Sequence, residues 1–600
     1  MKKNRPELAA FGLTSPFADP LRSRLFMKFR GLLERTLLLE QLDEVYRHSR
    51  DRTGPGSFLA SVLEVLNVTY EAVHPERLDI PAAGPLVVVA NHPHGGVEGV
   101  ALADLLRRHR PDTKIMGNYL LGRMPEMREY CIFVDPFEGE SARRRNIRPL
   151  KECLRWLKDG HALMVFPAGE VSHLQLRGKR VADSRWSPTI AGLIRAARAT
   201  ALPVFIEGRN SAMFQALGLI HPRLRTALLP RETLRRQGSR LRFHIGTPLP
   251  FARLEKYETN GELMDFLRLR TYVLQSRGAD PSGRRCRRPA PAAAAPLAAP
   301  LARELVASDI ALLPPDRRLL ENGDFAVYIA RAVEVPHLIH ELGRLREITF
   351  RAAGEGSGRP LDLDEFDQRY DQLLLWNRRT CELVGGYRIG RVDEILPRFG
   401  KRGLYTSTLF KYKTRLLEKM GPAIELGRSF VRPEYQRGFT PLLMLWKGIA
   451  RFVARHPRYV NLFGPVSVNN EYHSVSRALM VAFLTANNFK EDLARLVKPR
   501  RPPRARAAAG EPEQGARVLR DPDEMSELIA EIEKDGKGIP VLLRQYLKLG
   551  GRLLGFNVDP KFSEVLDGLI WVNLLETDRK LVERFMGKAE ATAFFAHHRR

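Results

Sequence analysis

Two proline-, alanine- and arginine-rich stretches decide how this chain can fold. Residues 277–300 read RGADPSGRRCRRPAPAAAAPLAAP, with neither the period of a helix nor the alternation of a strand. Such a composition gives a flexible to semi-rigid linker, so one continuous core across the middle of the chain is excluded. Residues 498–517 (KPRRPPRARAAAGEPEQGAR) have the same character, but patterned sequence resumes after them, so they read as a disordered insertion within the second half. The expected division is an amphipathic helical segment over 1–57, one domain over 58–276, a linker over 277–320 and a second domain over 321–600. No internal repeat of fixed period is visible.

The balance of 97 Lys+Arg against 69 Asp+Glu leaves a net charge of +28, which suits nucleic acid, an anionic membrane surface or an acidic protein. Cys131, Cys153, Cys286 and Cys381 form no CxxC pair, which argues against a disulfide scaffold or a zinc ribbon and fits a reducing compartment. No uncharged apolar run approaches the ~18 residues of a membrane span. The basic N-terminus is not followed by a secretory apolar core. In 21–49, Leu25, Phe29, Leu32 and Leu33 recur at helical spacing with Arg24, Lys28 and Arg35 between them. That helix can lie in a membrane interface or pack as an ordinary core helix.

Each half then shows its own order of elements. In the first, apolar runs at 85–90, 131–134, 162–166 and 203–206 read as buried strands, and 99–109, 147–158 and 189–200 as helices; this alternation predicts an α/β fold with a mostly parallel sheet. In the second, strands are expected at 324–329, 371–377, 381–389, 423–431 and 460–467, with helices at 335–351 and 441–455.

The sequence Asn91-His92-Pro93-His94-Gly95-Gly96-Val97-Glu98 follows a strand and opens a helix, at the strand end where ligand sites of α/β sheets sit. His92 with Glu98 can form an oriented general base or a satisfied structural pair. His94 and Glu98 could instead pair at i,i+4, and a metal reading of these residues lacks a further histidine or cysteine nearby. No metal is expected.

These residues resemble the first block of the glycerolipid and lysophospholipid acyltransferase family. Three further blocks follow in order: Gly117 through Gly122-Arg123 to Asp135; Phe166-Pro167-Ala168-Gly169-Glu170; and Leu202-Pro203-Val204-Phe205, continuing to Arg209-Asn210. The acid sits at Glu98, one place later than in the family, and Ala168 stands where the family has a glutamate. NHPxGG is similar to the hemolysin-like subgroup. The resemblance implies His92 as base, Glu98 as its orienting acid, and Asn91, Gly95, Gly96, Gly122, Arg123, Phe166, Pro167, Gly169, Glu170, Arg209 and Asn210 as substrate contacts.

The second half resembles the GNAT superfamily, in its branch that uses acyl carrier protein. Glu425-Leu426-Gly427-Arg428 followed by Arg432-Pro433-Glu434-Tyr435-Gln436-Arg437-Gly438 carries the match, with Asp364, Asp367, Asp371 and Val384–Arg388. Residues 538–547 and 555–559 are similar to the end of the N-acyltransferases that make lyso-ornithine lipid. The expected fold is a mixed sheet with helices. Glu425 would be the base or water-positioning group; Asp364, Asp367, Asp371 and Arg388 would bind the substrate, unless the aspartates serve as caps. Arg428, Arg432, Arg437 and Gly438 would dock the donor, unless the arginines are only a solvated turn. Gln436–Pro441 does not satisfy the Q/RxxGxG/A consensus. A phosphopantetheine thioester on acyl carrier protein is therefore expected as donor rather than coenzyme A, with no bound cofactor.

Together the halves resemble the bifunctional ornithine lipid synthases. The second half would N-acylate ornithine with a 3-hydroxyacyl chain, and the first would O-acylate the 3-hydroxyl of lyso-ornithine lipid, peripherally at the cytoplasmic face of a bacterial inner membrane. Alternatives are a lysophosphatidate acyltransferase with an accessory GNAT domain, and N-acylation of another amino acid such as glycine. Nucleic acid is not expected as a partner, since no zinc finger, RNP-like motif or helix-turn-helix accompanies the arginines.

Overall fold

The computed structural model describes residues 34–52, 57–136, 139–176, 180–277, 294–503, 517–560 and 562–599, with positions 11, 19, 24, 27, 28, 30 and 31. Leu25, Phe29, Leu32 and Leu33 lie outside the described residues, as do 278–293 and 504–516 within the two arginine-rich stretches. The chain forms two compact units, Met1–Arg277 with Ala507–Leu519, and Gly278–Arg506 with Arg520–Arg600.

The first unit is built on seven strands: β1 (Thr69–Val73), β2 (Leu86–Ala90), β3 (Lys114–Asn118), β4 (Cys131–Val134), β5 (Ala162–Val165), β6 (Thr200–Ile206) and β7 (Arg240–Ile245). Their order is β1-β7-β6-β2-β5-β3-β4, and every pair is parallel except β6 with β7. All five residues of β2 are buried, as expected of a central strand covered on both faces. Helix α1 (Val97–His109) lays Ala101, Leu102, Leu105 and Leu106 on the sheet core.

Two helix boundaries differ from expectation. Helix α2 (Glu140–Lys158) starts well before 147, because its first two turns are exposed apart from Ala142 and the half-buried Asn146 and so carry no apolar period. Helix α3 (Pro188–Ala197) stops short of 200 because Arg198 is left-handed, φ 48°; Thr200 is thereby released to begin β6.

The main sheet of the second unit has eight strands: β8 (Arg318–Asn322), β9 (Phe325–Arg331), β10 (Asp371–Asn377), β11 (Glu382–Arg391), β12 (Ala423–Val431), β13 (Asn461–Val468), β14 (Arg552–Asp559) and β15 (Val565–Asn573). They are ordered β8-β9-β10-β11-β12-β13-β15-β14. Helices α4 (Pro336–Ala352) and α5 (Thr440–Arg455) carry much of the remaining core. All neighbours are antiparallel except β12 and β13, which pair in parallel over Ala423–Glu425 and Asn461–Phe463 alone. Beyond that point β12 stays with β11 while β13 stays with β15, so the sheet opens between them.

A bulge marks the parting. Gly386 faces Phe430 and Arg388 faces Gly427, which leaves Arg428 and Ser429 opposite Tyr387 alone, and Arg428 is left-handed at φ 48°. Bulges of this kind bend a strand away from its partner. Among the described residues no helix is long and apolar enough to cross a membrane.

Candidate active sites

Strand β2 delivers the chain to Asn91, and the Asn91–Gly96 turn reverses it into α1. Glu98 is wholly buried in the first turn of that helix. Its Oε1 accepts the backbone N–H of His94 at 2.8 Å and of Gly95 at 2.7 Å, and its Oε2 accepts that of Gly96 at 2.9 Å. His92 Nδ1 lies 3.0 Å from Oε1, at ion-pair distance but off the line of a hydrogen bond. Burial alone would raise the Glu98 pKa. The charge and contact of His92, with His94 and the turn amides, outweigh it and hold the carboxyl well below the usual range. The one-residue offset of the acid is absorbed in the turn, where Gly95 takes φ 99°. A Cβ there would stand 2.5 Å from Leu229 Cδ2.

The His92 ring stacks on Phe166, centroids 4.1 Å apart, and keeps 18% of its side chain exposed. Its backbone is fixed from a third segment: the N–H donates to Asp183 Oδ1 at 3.2 Å, and the carbonyl accepts from Ser172 N–H at 2.8 Å. Asp183, which the sequence reading did not single out, also accepts from Ser172 Oγ at 2.5 Å and Trp186 Nε1 at 2.9 Å. The arrangement is a partly exposed imidazole backed by a buried carboxylate and a fixed aromatic shelf, the geometry of an oriented base.

Several expected substrate contacts are committed inside the protein instead. Asn91 exchanges two hydrogen bonds with the backbone of Ile206, at 3.0 and 2.6 Å, and so ties β2 to β6. Gly95 and Gly96 serve Glu98, as above. Asn210 donates to the His94 carbonyl at 3.2 Å. Glu170 is paired with Arg225 at 2.5 Å and also accepts the Ser184 hydroxyl. Pro167 is buried, with its carbonyl on Ser187 N–H at 2.9 Å; Gly169 is left-handed at φ 68°; and Gly122 packs beside Phe133. Arg123 and Arg209 are exposed. The ring of His94 is not paired with Glu98 but lies over Gly208, where a Cβ would come within 2.3 Å of it.

In the second unit Glu425 is buried on β12. Its Oε1 accepts Thr406 N–H at 2.6 Å; its Oε2 accepts Tyr405 N–H at 3.1 Å and the Tyr370 hydroxyl. Burial raises its pKa against these bonds. Three donors thus hold this carboxylate in place, and Glu425 fixes the wall made by Tyr370 and the Tyr405–Thr406 turn.

Around it runs a buried ionic network. Arg388 donates to Asp364 Oδ1 at 2.6 Å, and its guanidinium lies 4.9–5.6 Å from the rings of Tyr405, Tyr370 and Phe366. Asp367 accepts from Arg346 at 2.7 Å, and Asp371 faces Arg331 at 2.6 Å and Arg391 at 2.8 Å. The three aspartates expected to meet a cationic substrate are thus neutralised by the protein's own arginines, and Asp364 also caps a short helical turn by accepting Phe366 N–H at 2.9 Å.

Arg428, expected at the donor, points inward to Asp362 at 3.0 Å and to the Tyr405 hydroxyl at 3.2 Å. Arg432 lies 3.4 Å from Glu434 and 3.8 Å from Glu382. Only Arg437 and Gly438 of that group are fully exposed, in the turn that leads into α5. Apart from Arg432 with Glu434, sequence could not assign these partners because each pair joins distant segments.

Comparison with known proteins follows the same division. An acyltransferase family model matches residues 21–280, and a model of the acetyltransferase (GNAT) domain matches residues 345–447. A glycine N(alpha)-acyltransferase of Phocaeicola vulgatus is 31% identical over 314 residues, 48% of this chain and 93% of that protein. A lyso-glycine lipid O-acyltransferase of the same organism is 28% identical over 243 residues, 39% of this chain and 83% of that protein. A glycine N(alpha)-acyltransferase of Bacteroides thetaiotaomicron is 32% identical, covering 47% of this chain and 87% of its own length. The chain therefore belongs to the acyltransferase enzymes, with an acyltransferase domain in its first half and a GNAT domain in its second.

Proposed function

We propose that this chain makes an amino-acid-headed lipid in two acyl transfers, the second unit forming an amide and the first an ester. The observation that carries this reading is that one chain is similar to two separate proteins of Phocaeicola vulgatus, one named as an N-acyltransferase and one as an O-acyltransferase.

In the ester step His92 takes the proton of the 3-hydroxyl of the singly acylated lipid as that oxygen attacks an acyl thioester. Glu98 holds the imidazole and stabilises its charged form, and the substrate supplies the nucleophile. In the amide step the donor is a 3-hydroxyacyl thioester on the phosphopantetheine arm of acyl carrier protein. The exposed Arg437 suits an acidic carrier protein, whose approach the net charge of +28 favours. Lipid substrates and this positive charge together support peripheral attachment to an anionic membrane.

The relatives' names favour glycine as the head group, in place of the ornithine expected from the sequence. A second reading, ornithine, is favoured by Glu355. This half-buried carboxylate has no arginine or lysine in ion-pair range among the described residues, and burial and Glu471 push its pKa up to about 7. A second ammonium on the substrate would relieve it.

The test is expression of the full chain in a bacterium that lacks such lipids, followed by mass spectrometry of the extract. A doubly acylated amino acid lipid is expected, its head-group mass separating glycine from ornithine, and His92→Ala should accumulate the singly acylated N-acyl form. An extract with no amino acid lipid, from a chain that is folded, overturns the reading.

A further inference from the structure

Asp567 on β15 differs from the aspartates of the ionic network around Glu425. Asp362, Asp364, Asp367 and Asp371 each face an arginine, at 3.0, 2.6, 2.7 and 2.6 Å. Asp567 is 4% exposed and has no arginine or lysine in ion-pair range among the described residues. Its one hydrogen-bond partner among them is the Ser467 hydroxyl, which donates to Oδ1 at 2.9 Å. The Oδ2 atom is uncommitted.

The strand register places this carboxylate at the opening in the sheet. Glu425 lies level with Phe463, and Phe463 with Trp571; four residues further along β13, Ser467 lies level with Asp567. Since side chains alternate along a strand, Glu425, Phe463, Ser467 and Asp567 share one face. At the level of Ser467, β12 has already left β13, and its nearest continuation is the bulge at Arg428. The guanidinium of Arg428 lies 4.9 Å from the ring of Phe562, in the turn between β14 and β15. Asp567 therefore sits across the gap from the bulge, on the face where the Glu425 wall ends.

We propose that Asp567 is the base of the amide-forming step, taking a proton from the acceptor's ammonium group; this rests on the second unit carrying out N-acyl transfer. The ammonium gives one proton to Oδ2. The freed amine forms a C–N bond to the thioester carbonyl as the C–S bond breaks. The departing thiolate takes the second proton shed by nitrogen, and Asp567 returns the first to solvent. The products are amide, free thiol and one proton.

The surroundings suit that task. Burial is the main influence on Asp567, and Asp559 and Glu355 add to it while Ser467 and Arg428 oppose, which brings its pKa to about 8. The charge of Asp567 also couples to Tyr405. A carboxyl raised in this way comes closer in basicity to the ammonium it must deprotonate than an ordinary carboxylate does.

The experiment uses the purified full chain, a 3-hydroxyacyl thioester of acyl carrier protein, and two acceptors: glycine, and hydroxylamine, which is largely uncharged at neutral pH. Asp567→Asn should slow glycine acylation by about 10²–10³-fold and leave hydroxylamine acylation within about threefold. The alkaline rise of kcat/KM with apparent pKa near 8 should vanish. Asp567→Glu should recover part of the loss. Glycine acylation within about threefold of the parent chain, or an equal loss with both acceptors from a variant whose ester-forming activity is intact, overturns the assignment. A parent chain that acylates no amine overturns the N-acyl reading itself, a separate result.

Discussion

At Glu98 a helix N-terminus and an ion pair act on one carboxylate. Three backbone N–H groups and His92 converge on it in a space closed to water. Glu98→Gln keeps the shape but turns an amide NH₂ toward donors. It should slow ester formation by about 10²–10⁴-fold and cost about 1–3 kcal/mol of stability at pH 7. The pKa is depressed in the fold. The carboxylate's contribution is therefore present above its unfolded value of about 4.3 and is lost as pH falls through the folded value. Urea unfolding at pH 7 and again in acid checks this: a cost that does not shrink in acid would contradict the electrostatic account. Asp567 has the opposite sign. Its folded pKa is raised, so its charge weighs against the fold as pH climbs from about 4 to about 8. Asp567→Asn should therefore fold at least as stably as the parent, increasingly so toward alkaline pH.

At the scale of elements, the parting of β12 and β13 shapes the second site. They meet over three residue pairs, and the last close approach is Gly464, where a Cβ would stand 2.1 Å from the Leu426 carbonyl oxygen. Gly464→Ala must push the two strands apart just beyond their last paired residues. A loss of about 1–3 kcal/mol and a marked fall in amide formation are expected, with ester formation unchanged. Denaturant unfolding with both activity assays would show it, and a variant as stable and active as the parent would mean that the strands are not held there.

Most of this architecture was legible in the sequence. Short runs such as LVVVA and LLLWN read as strands buried on both faces, and the NHPHGG turn announced its place between strand and helix. What was not legible came from pairings across long separations. Ser467 and Asp567 are 100 residues apart, and Asp183 reaches back 91 residues to His92. Likewise the arginines near Glu425 read equally well as surface charge until Asp362, Asp364 and Asp371 arrive from other segments to bury them.

On the scale of the whole molecule, each unit carries its own core and its own site. Calorimetry of the full chain should resolve two transitions, with Glu98→Gln lowering one and Gly464→Ala lowering the other. One transition displaced by both variants would mean a single cooperative body. The order of strands has a further consequence during synthesis. Strand β13 gains its outer neighbour only from β15, and the paired residues Ser467 and Asp567 are 100 positions apart. At roughly 5–20 residues per second, the outer rim of β13 waits on the order of 5–20 s on the ribosome with its amides and carbonyls unmet. A nascent chain arrested in that interval presents a sticky β-edge, so truncation before residue 565 should yield aggregates instead of a smaller soluble enzyme.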